Sequence, residues 1–196
     1  MTKKVLVLDA HPVDDTLNRH LALGYADAAK EAGHDVRLIK LSDMEFDPDF
    51  GQTHYSQTKP LEEDLEQFML SIEWCDHFVM TVPMWWGGFP AKTKALFDRA
   101  LMAGRAFDTR NRNFLGLPAP MLTGKSGRVL VTSDTPKVFQ TLVYGNAFQN
   151  QIRKQILSFV GIKPAKFTWF AAAGKPKTGA VANWLNQAQK LGRAAA

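Results

Sequence analysis

His77-Phe78-Val79-Met80-Thr81-Val82-Pro83-Met84-Trp85-Trp86-Gly87-Gly88-Phe89-Pro90 is a short apolar run, an aromatic turn bounded by proline and glycine, and the entry to a helical pattern from Ala91 to Met102. A near-continuous apolar run of this length, closed by turn residues and followed by a helix, reads as a strand buried on both faces of a parallel sheet. Two adjacent tryptophans at the mouth of such a strand make poor packing material. A flat aromatic ligand is one explanation: Trp85 and Trp86 supply an apolar wall, and Gly87 and Gly88 let backbone N–H groups approach closely. A hydrophobic loop covered by a neighbouring subunit is the other, and the two are compatible.

Working outward, further runs of the same kind occur at Lys4–Asp9, Arg128–Ser133 and Lys166–Ala171, with a more amphipathic one at Asp35–Leu41. Helical stripes lie between them. Leu17, Leu21, Tyr25 and Ala28 form one, with Gly33 at its C-cap; Leu61, Leu65, Phe68 and Ile72 form a second; Leu96, Ala100 and Ala103 a third. Phe148, Ile152, Ile156 and Phe159 form a fourth, stopped by Gly161, and Val181, Trp184, Leu185, Ala188 and Leu191 a fifth. Five strands alternating with five helices predict a single doubly wound α/β domain over residues 1–196. Two stretches, Ser42–Lys59 and Gly104–Gly127, are expected to be irregular, and the tail Gly192–Ala196 to be frayed.

The chain is long enough for a substantial core, and no apolar run approaches the length of a membrane span. Met1-Thr2-Lys3-Lys4 passes directly into Val5-Leu6-Val7-Leu8, so no signal peptide is expected, and the single cysteine, Cys75, fits a reducing cytoplasm and an inert packed thiol. The net charge of +5 reads as mild and spread out, with loose basic clusters at Lys92–Arg112 and Lys163–Lys177. Neither has the regular aromatic interleaving of a nucleic-acid motif, so nucleic acid is not an expected partner.

In an open parallel sheet, ligands bind at the carboxyl ends of strands where the winding reverses. The loop after the first strand, Ala10–Asn18, leads into a helix whose N-cap is expected at Asp14 or Asp15, and whose first-turn N–H groups favour an anion. His11, Thr16 and Asn18 add donors, but no Gly-rich pyrophosphate turn is present. After the fourth strand, Thr132-Ser133-Asp134-Thr135-Pro136 offers hydroxyls to the polar edge of a heterocycle. A nucleophilic Ser133 is excluded, because it lacks the Gly-x-Ser-x-Gly elbow and no histidine follows it. His11-Pro12-Val13-Asp14-Asp15 approaches a zinc deacetylase motif, but Val13 breaks its register, and no His-x-x-His pair occurs among His20, His34, His54 and His77. No metal site is expected. A receiver domain is excluded too, since Pro83-Met84-Trp85 stands where a carboxylate is required.

From Val5 to about Gly174 the pattern resembles the flavodoxin-like NAD(P)H:quinone oxidoreductase family, including the ancillary flavoproteins of potassium efflux systems. His11-Pro12 with Thr16-Leu17-Asn18, then Pro83–Gly87 with Pro90-Ala91 and Phe97-Asp98-Arg99, carry the resemblance. It implies a five-stranded sheet in the order 2-1-3-4-5 with helices on both faces, and FMN, or FAD, as cofactor. By position, His11, Thr16, Leu17 and Asn18 would hold the phosphate and ribityl end. Pro83, Met84, Trp85 and Trp86 would carry the ring, with a backbone N–H near Trp86 or Gly87 at flavin N5, and Thr132, Ser133 and Asp134 would meet the pyrimidine edge. NAD(P)H would pass a hydride to the flavin and a quinone or similar flat acceptor would take the electrons, in a ping-pong cycle. Trp85, Phe107, Phe139 and Tyr144 would line the acceptor slot, with Tyr144 as catalytic group, and a homodimer would wall the site through Phe107.

Two departures stand out. Thr132-Ser133-Asp134-Thr135-Pro136 replaces the family's Thr-Thr-Gly-Gly, and the histidine of well-known members is absent, with Phe139 and Tyr144-Gly145-Asn146 in its region. They leave a second reading open: a flavin- or nucleotide-binding regulatory subunit of a transporter or another enzyme.

Overall fold

The structure, a computed structural model, describes residues 1–51 and 59–195. Residues 52–58, with His54 and part of the expected irregular stretch Ser42–Lys59, lie outside them. Strand β1 (Lys4–Asp9) leads through a loop to α1 (Leu17–Glu31), then to β2 (Asp35–Lys40), α2 (Glu63–Trp74), β3 (His77–Pro83) and α3 (Ala91–Ala100). An antiparallel pair, β4 (Phe107–Arg112) and β5 (Pro118–Pro120), precedes β6 (Lys125–Ser133) and the short α4 (Lys137–Leu142). Next, α5 (Ala147–Asn150) runs into a π-helical stretch, Gln151–Leu157, and a closing turn, α6 (Ser158–Val160). Strand β7 (Ile162–Ala171) and α7 (Ala180–Ala194) complete the chain.

The main sheet has the order β2-β1-β3-β6-β7, all parallel, which is the expected 2-1-3-4-5 when its own strands alone are numbered. Alternation along β1 separates two cores. Leu6 and Leu8 face one with Phe68, Phe78, Leu96 and Ile152, under α2, α3 and the 147–160 helix. Val5 and Val7 face the other with Leu21, Tyr25, Val79 and Ala188, under α1 and α7. Strand β3, central and buried at all seven positions, is the apolar run that announced the fold.

Three expectations fail for local reasons. Part of Gly104–Gly127 is ordered as the β4–β5 pair and the start of β6, whose polar residues hid the strands. Helix α3 stops at Ala100, short of Met102 and Ala103, because Leu101 leaves the helical region at φ −81° and ψ 64°. As far as Ala195 the tail is packed, not frayed. Ala195 is fully buried, the Lys3 ammonium donates to its carbonyl at 2.7 Å, and Gly192 sits so close to α1 that an added Cβ would lie 2.3 Å from the Tyr25 carbonyl oxygen.

Candidate active site

Three loops meet at the carboxyl edge of the sheet because backbone hydrogen bonds continue the strand ladder past the strands. Ala10 N–H donates to Thr81 O at 2.9 Å, Met84 N–H to Thr132 O at 2.9 Å, and Ala173 N–H to Ser133 O at 3.2 Å. The Thr93 hydroxyl donates to Ala10 O at 2.7 Å, which ties the start of α3 to the first loop.

The first loop is held by a charge network around the buried Asp9 and Arg19. Arg19, one turn into α1, meets Asp9 through Nε at 2.7 Å, Asp14 through Nη1 at 2.6 Å and the Ser42 hydroxyl through Nη2 at 2.7 Å. Asp9 is wholly buried, and its other oxygen accepts from His11 N–H at 3.2 Å and the Thr81 hydroxyl at 3.3 Å. Thr16, not Asp14 or Asp15, caps α1, its hydroxyl accepting from Arg19 N–H at 3.3 Å. Asp14 is engaged by Arg19, and Asp15 sits in the left-handed region at φ 53°. The first-turn N–H groups of α1 have no intrahelical partners. His11 Nδ1 lies 3.1 Å from Val13 N and 3.0 Å from Val13 O, so the Val13 backbone fixes the ring and leaves Nε2 without a partner among the described residues.

Asn18 is buried, and its Oδ1 accepts from the Thr132 hydroxyl at 2.7 Å, linking the first and third loops. Its Nδ2 is buried with no hydrogen-bond partner among the described residues. A buried donor left unpaired costs roughly 1–3 kcal/mol, so this nitrogen marks a place where a ligand acceptor belongs.

The second loop is a two-residue turn. Trp85 and Gly88 exchange N–H···O bonds at 3.0 and 2.8 Å, while Trp86 and Gly87 take φ 50° and 74°. Positive φ at both central positions is the type I′ geometry, natural for Asn-Gly and strained for tryptophan. Trp86 is fully exposed and Trp85 half so, with the His11 ring edge-on to Trp85 at 5.5 Å. In the third loop the Ser133 hydroxyl accepts from Thr135 N–H at 3.0 Å, and Asp134 accepts from Gly174 N–H at 2.6 Å. A Cβ at 174 would lie 2.9 Å from the Asp134 carboxylate, so any larger residue there would push that side chain aside.

His11, Thr16, Leu17, Asn18, Pro83, Met84, Trp85, Thr132, Ser133 and Asp134 line a single cleft of about 260 Å³, joined by Ala173 and Gly174. An adjoining depression of about 490 Å³ shares Met84, Ser133 and Asp134 and adds Trp86, Gly87, Tyr144, Gln140 and Phe148. Phe139 lines neither and is half exposed; successive helical residues differ by about 100°, and Gln140 takes the inner face of α4. Phe107 lies elsewhere, against Phe159 with ring centroids 5.3 Å apart. Sequence reasoning did not find Gln140, Gly174 or the Asp9–Arg19 pair. A carboxylate closing a buried strand, with an arginine a short loop away, was the available signal.

An open parallel sheet whose carboxyl edge gathers an anion-favouring helix start and an aromatic turn defines a doubly wound α/β protein of the flavodoxin-like class. The family described as "Flavodoxin-like fold" (Flavodoxin_2) matches residues 3–191, and the chain belongs to it. An "Uncharacterized NAD(P)H oxidoreductase" of Haemophilus influenzae is 30% identical over 115 residues, 57% of this chain and 57% of that protein. An "FMN-dependent NADH:quinone oxidoreductase" of Macrococcus caseolyticus is 26% identical over 137 residues, 58% of this chain and 63% of that protein. The chain therefore matches less than two thirds of the length of either curated relative. Among solved structures, an "NAD(P)H:quinone oxidoreductase from Methanothermobacter marburgensis" superposes with a TM-score of 0.83 at 22% identity, covering 98% of each chain, a likeness of fold.

Proposed function

We propose that this chain binds FMN in the cleft at the carboxyl edge and uses NAD(P)H to reduce quinones or similar flat aromatic acceptors. The observation that carries the reading is the unpartnered Asn18 amide nitrogen, buried in a cleft walled by Met84 and Trp85. The names of the curated relatives, FMN-dependent NADH:quinone oxidoreductase among them, support the same chemistry.

The residues fit such a cofactor. The first-turn N–H groups of α1, His11 Nε2 and Thr16 suit a phosphate, and Asn18 Nδ2 a ribityl or ring acceptor. Met84 and Trp85 give the ring an apolar wall, and the N–H groups of Trp86 and Gly87 have no hydrogen-bond partner among the described residues. Thr132, Ser133 and Asp134 supply the polar edge. The chemistry that bound FMN supplies is two-electron transfer between a nicotinamide donor and a flat acceptor. Tyr144, at the adjoining depression, is the hydroxyl available to an acceptor oxygen, while Trp86 and Phe148 shape the slot.

A second copy of the chain would close this open side. Val138, Phe139, Leu142 and Val143 stand exposed beside the cleft, as do Phe114, Leu115 and Leu117 around the β4–β5 turn, and apolar surface of this extent favours association. Phe107 and Phe139 would then act as walls contributed across a homodimer. A visible spectrum of the purified protein with added flavin, before and after anaerobic NADPH or NADH, tests the reading. A bound flavin band that bleaches and returns on adding a quinone is expected. A bound band that neither nucleotide bleaches turns the reading toward a regulatory subunit, and no bound flavin overturns it.

A further inference from the structure

The charge of this chain is divided in a way that the overall value of +5 conceals. Asp134 is the last acidic residue; nine lysines and arginines follow it and no carboxylate side chain does. The cations on either side of Asp134 differ accordingly. In Lys92–Arg112, Lys94 pairs with Asp98, Arg99 with Glu62, Arg105 with Glu66 and Glu73, and Arg110 with Asp108. Lys137, Arg153 and Lys166 have no salt-bridge partner among the described residues, and all three line one depression of about 400 Å³ against β7.

The lining holds no acid and adds the side chains of Thr141, Asn146 and Gln149. Three buried side-chain polar atoms lack a hydrogen-bond partner among the described residues, and two of them, Arg153 Nε and Trp169 Nε1, belong to residues of this wall. The Arg153 guanidinium lies over the Phe167 ring, 5.4 Å from its centroid, which orients its fork without neutralising it. Arg153 is carried by the π-helical stretch Gln151–Leu157, a departure from α-helical geometry that is frequent at functional sites.

We infer that this depression is a second binding site, for a small phosphate-bearing anion, lying outside the proposed flavin cleft. An oxyanion would supply the counter-charge that this lining lacks and the acceptors that its unpaired donors lack. The depression is large enough for a phosphate or pyrophosphate group. The segment 137–149 contributes to both sides: Gln140, Tyr144 and Phe148 line the depression adjoining the cleft, whereas Lys137, Thr141, Asn146 and Gln149 line the basic depression. The phosphate has two possible sources, the 2′-phosphate of NADPH or a separate ligand.

Calorimetric titration of the whole chain with inorganic pyrophosphate, NADPH and NADH tests this against a Lys137→Gln/Lys166→Gln double variant, in which both altered side chains are exposed, and against Arg153→Gln. Wild-type protein is expected to bind pyrophosphate saturably at one site, and each variant to bind it about tenfold more weakly or worse, the loss of one charged hydrogen bond. Melting curves matching wild type exclude a folding defect. Weakened NADPH binding with NADH unaffected supports the site and assigns it the 2′-phosphate; weakened pyrophosphate binding alone supports it with a separate ligand. No saturable pyrophosphate binding by wild type, or equal affinity in folded variants, overturns the inference. Failure of both nucleotides to bind, with pyrophosphate still bound, counts against the proposed oxidoreductase and leaves this site standing.

Discussion

The two ends of the cleft are built on opposite principles. At the β1–α1 end, charges are buried and paired: Asp9, Arg19 and Thr81 form a closed set beneath the loop, and the Ser42 hydroxyl, ahead of the charges of Lys40 and Arg19, holds the Asp43 carboxyl below its usual range. At the Trp85–Tyr144 end, large apolar side chains stand in solvent and the turn carries a tryptophan at positive φ. The first end is organised before any ligand arrives, as a site for a tightly held group should be. The second is left open, as a slot that admits donor and acceptor in turn must be. Buried charge is thus concentrated at the first end and exposed apolar surface at the second.

The most damaging way to break this contrast is Arg19→Ala. It would strand Asp9, fully buried, without its cation, and removing one partner of a buried pair typically costs about 3–5 kcal/mol. Urea unfolding of the flavin-free protein should register that loss; a change below about 1 kcal/mol would mean that the network is not what holds the first loop.

Acid attacks the same frame from behind. His77 opens β3 with Nε2 3.1 Å from the Tyr25 hydroxyl and Nδ1 2.8 Å from the Ser126 hydroxyl, and burial, ahead of the charges of Lys3, Arg128, Lys166 and His34, pushes its pKa from 6.5 down to about 3. The folded state keeps the ring neutral while the unfolded chain takes up a proton. Stability is therefore complete above about pH 6.5 and declines as pH falls toward 3. By pH 5 the loss from this group is about 2 kcal/mol, readable as a falling urea midpoint, and a His77→Phe variant should flatten the slope.

Between the ends lies Asn18. Asn18→Ala removes the orphaned nitrogen and the acceptor of Thr132, and it should weaken flavin binding about tenfold, near the worth of one hydrogen bond. Fluorescence quenching of added FMN measures it. Unchanged affinity would place the flavin's anchoring elsewhere, or nowhere in this cleft.

How much of this was legible depends on which force wrote it. The strands β1, β3 and β6 announced themselves because burial on both faces demands uninterrupted apolar residues, and that pattern survives in the sequence. The residues of the three loops followed from topology, since the carboxyl edge of a parallel sheet brings them together. The Asp9–Arg19 pair was missed because a charge at a strand end reads as solvated until its neighbours are known. Gly174 and Gln140 were missed for a related reason: neither carries a local signal, and each matters only through what it faces, the Asp134 carboxylate and the cleft. The asymmetry of charge was in plain sight, but net charge averages over a fold that separates its parts.

The smallest expected effect tests the strained end. Trp86 occupies the first central position of a type I′ turn, where Asn is at home, and it buries nothing in exchange, being fully exposed. If the tryptophan were there for stability, its replacement would destabilise the fold. A strained open end requires the opposite: Trp86→Asn should raise stability by about 1 kcal/mol, the relief of one residue held at positive φ. The same variant should leave flavin affinity near that of wild type and raise KM for a flat quinone, because Trp86 lines the outer depression and not the inner cleft. A gain in stability with no change in KM would break the link between strain and function at this turn. A loss of stability would mean that Trp86 is covered in solution, and that the open end is closed by a second copy of the chain before any acceptor reaches it.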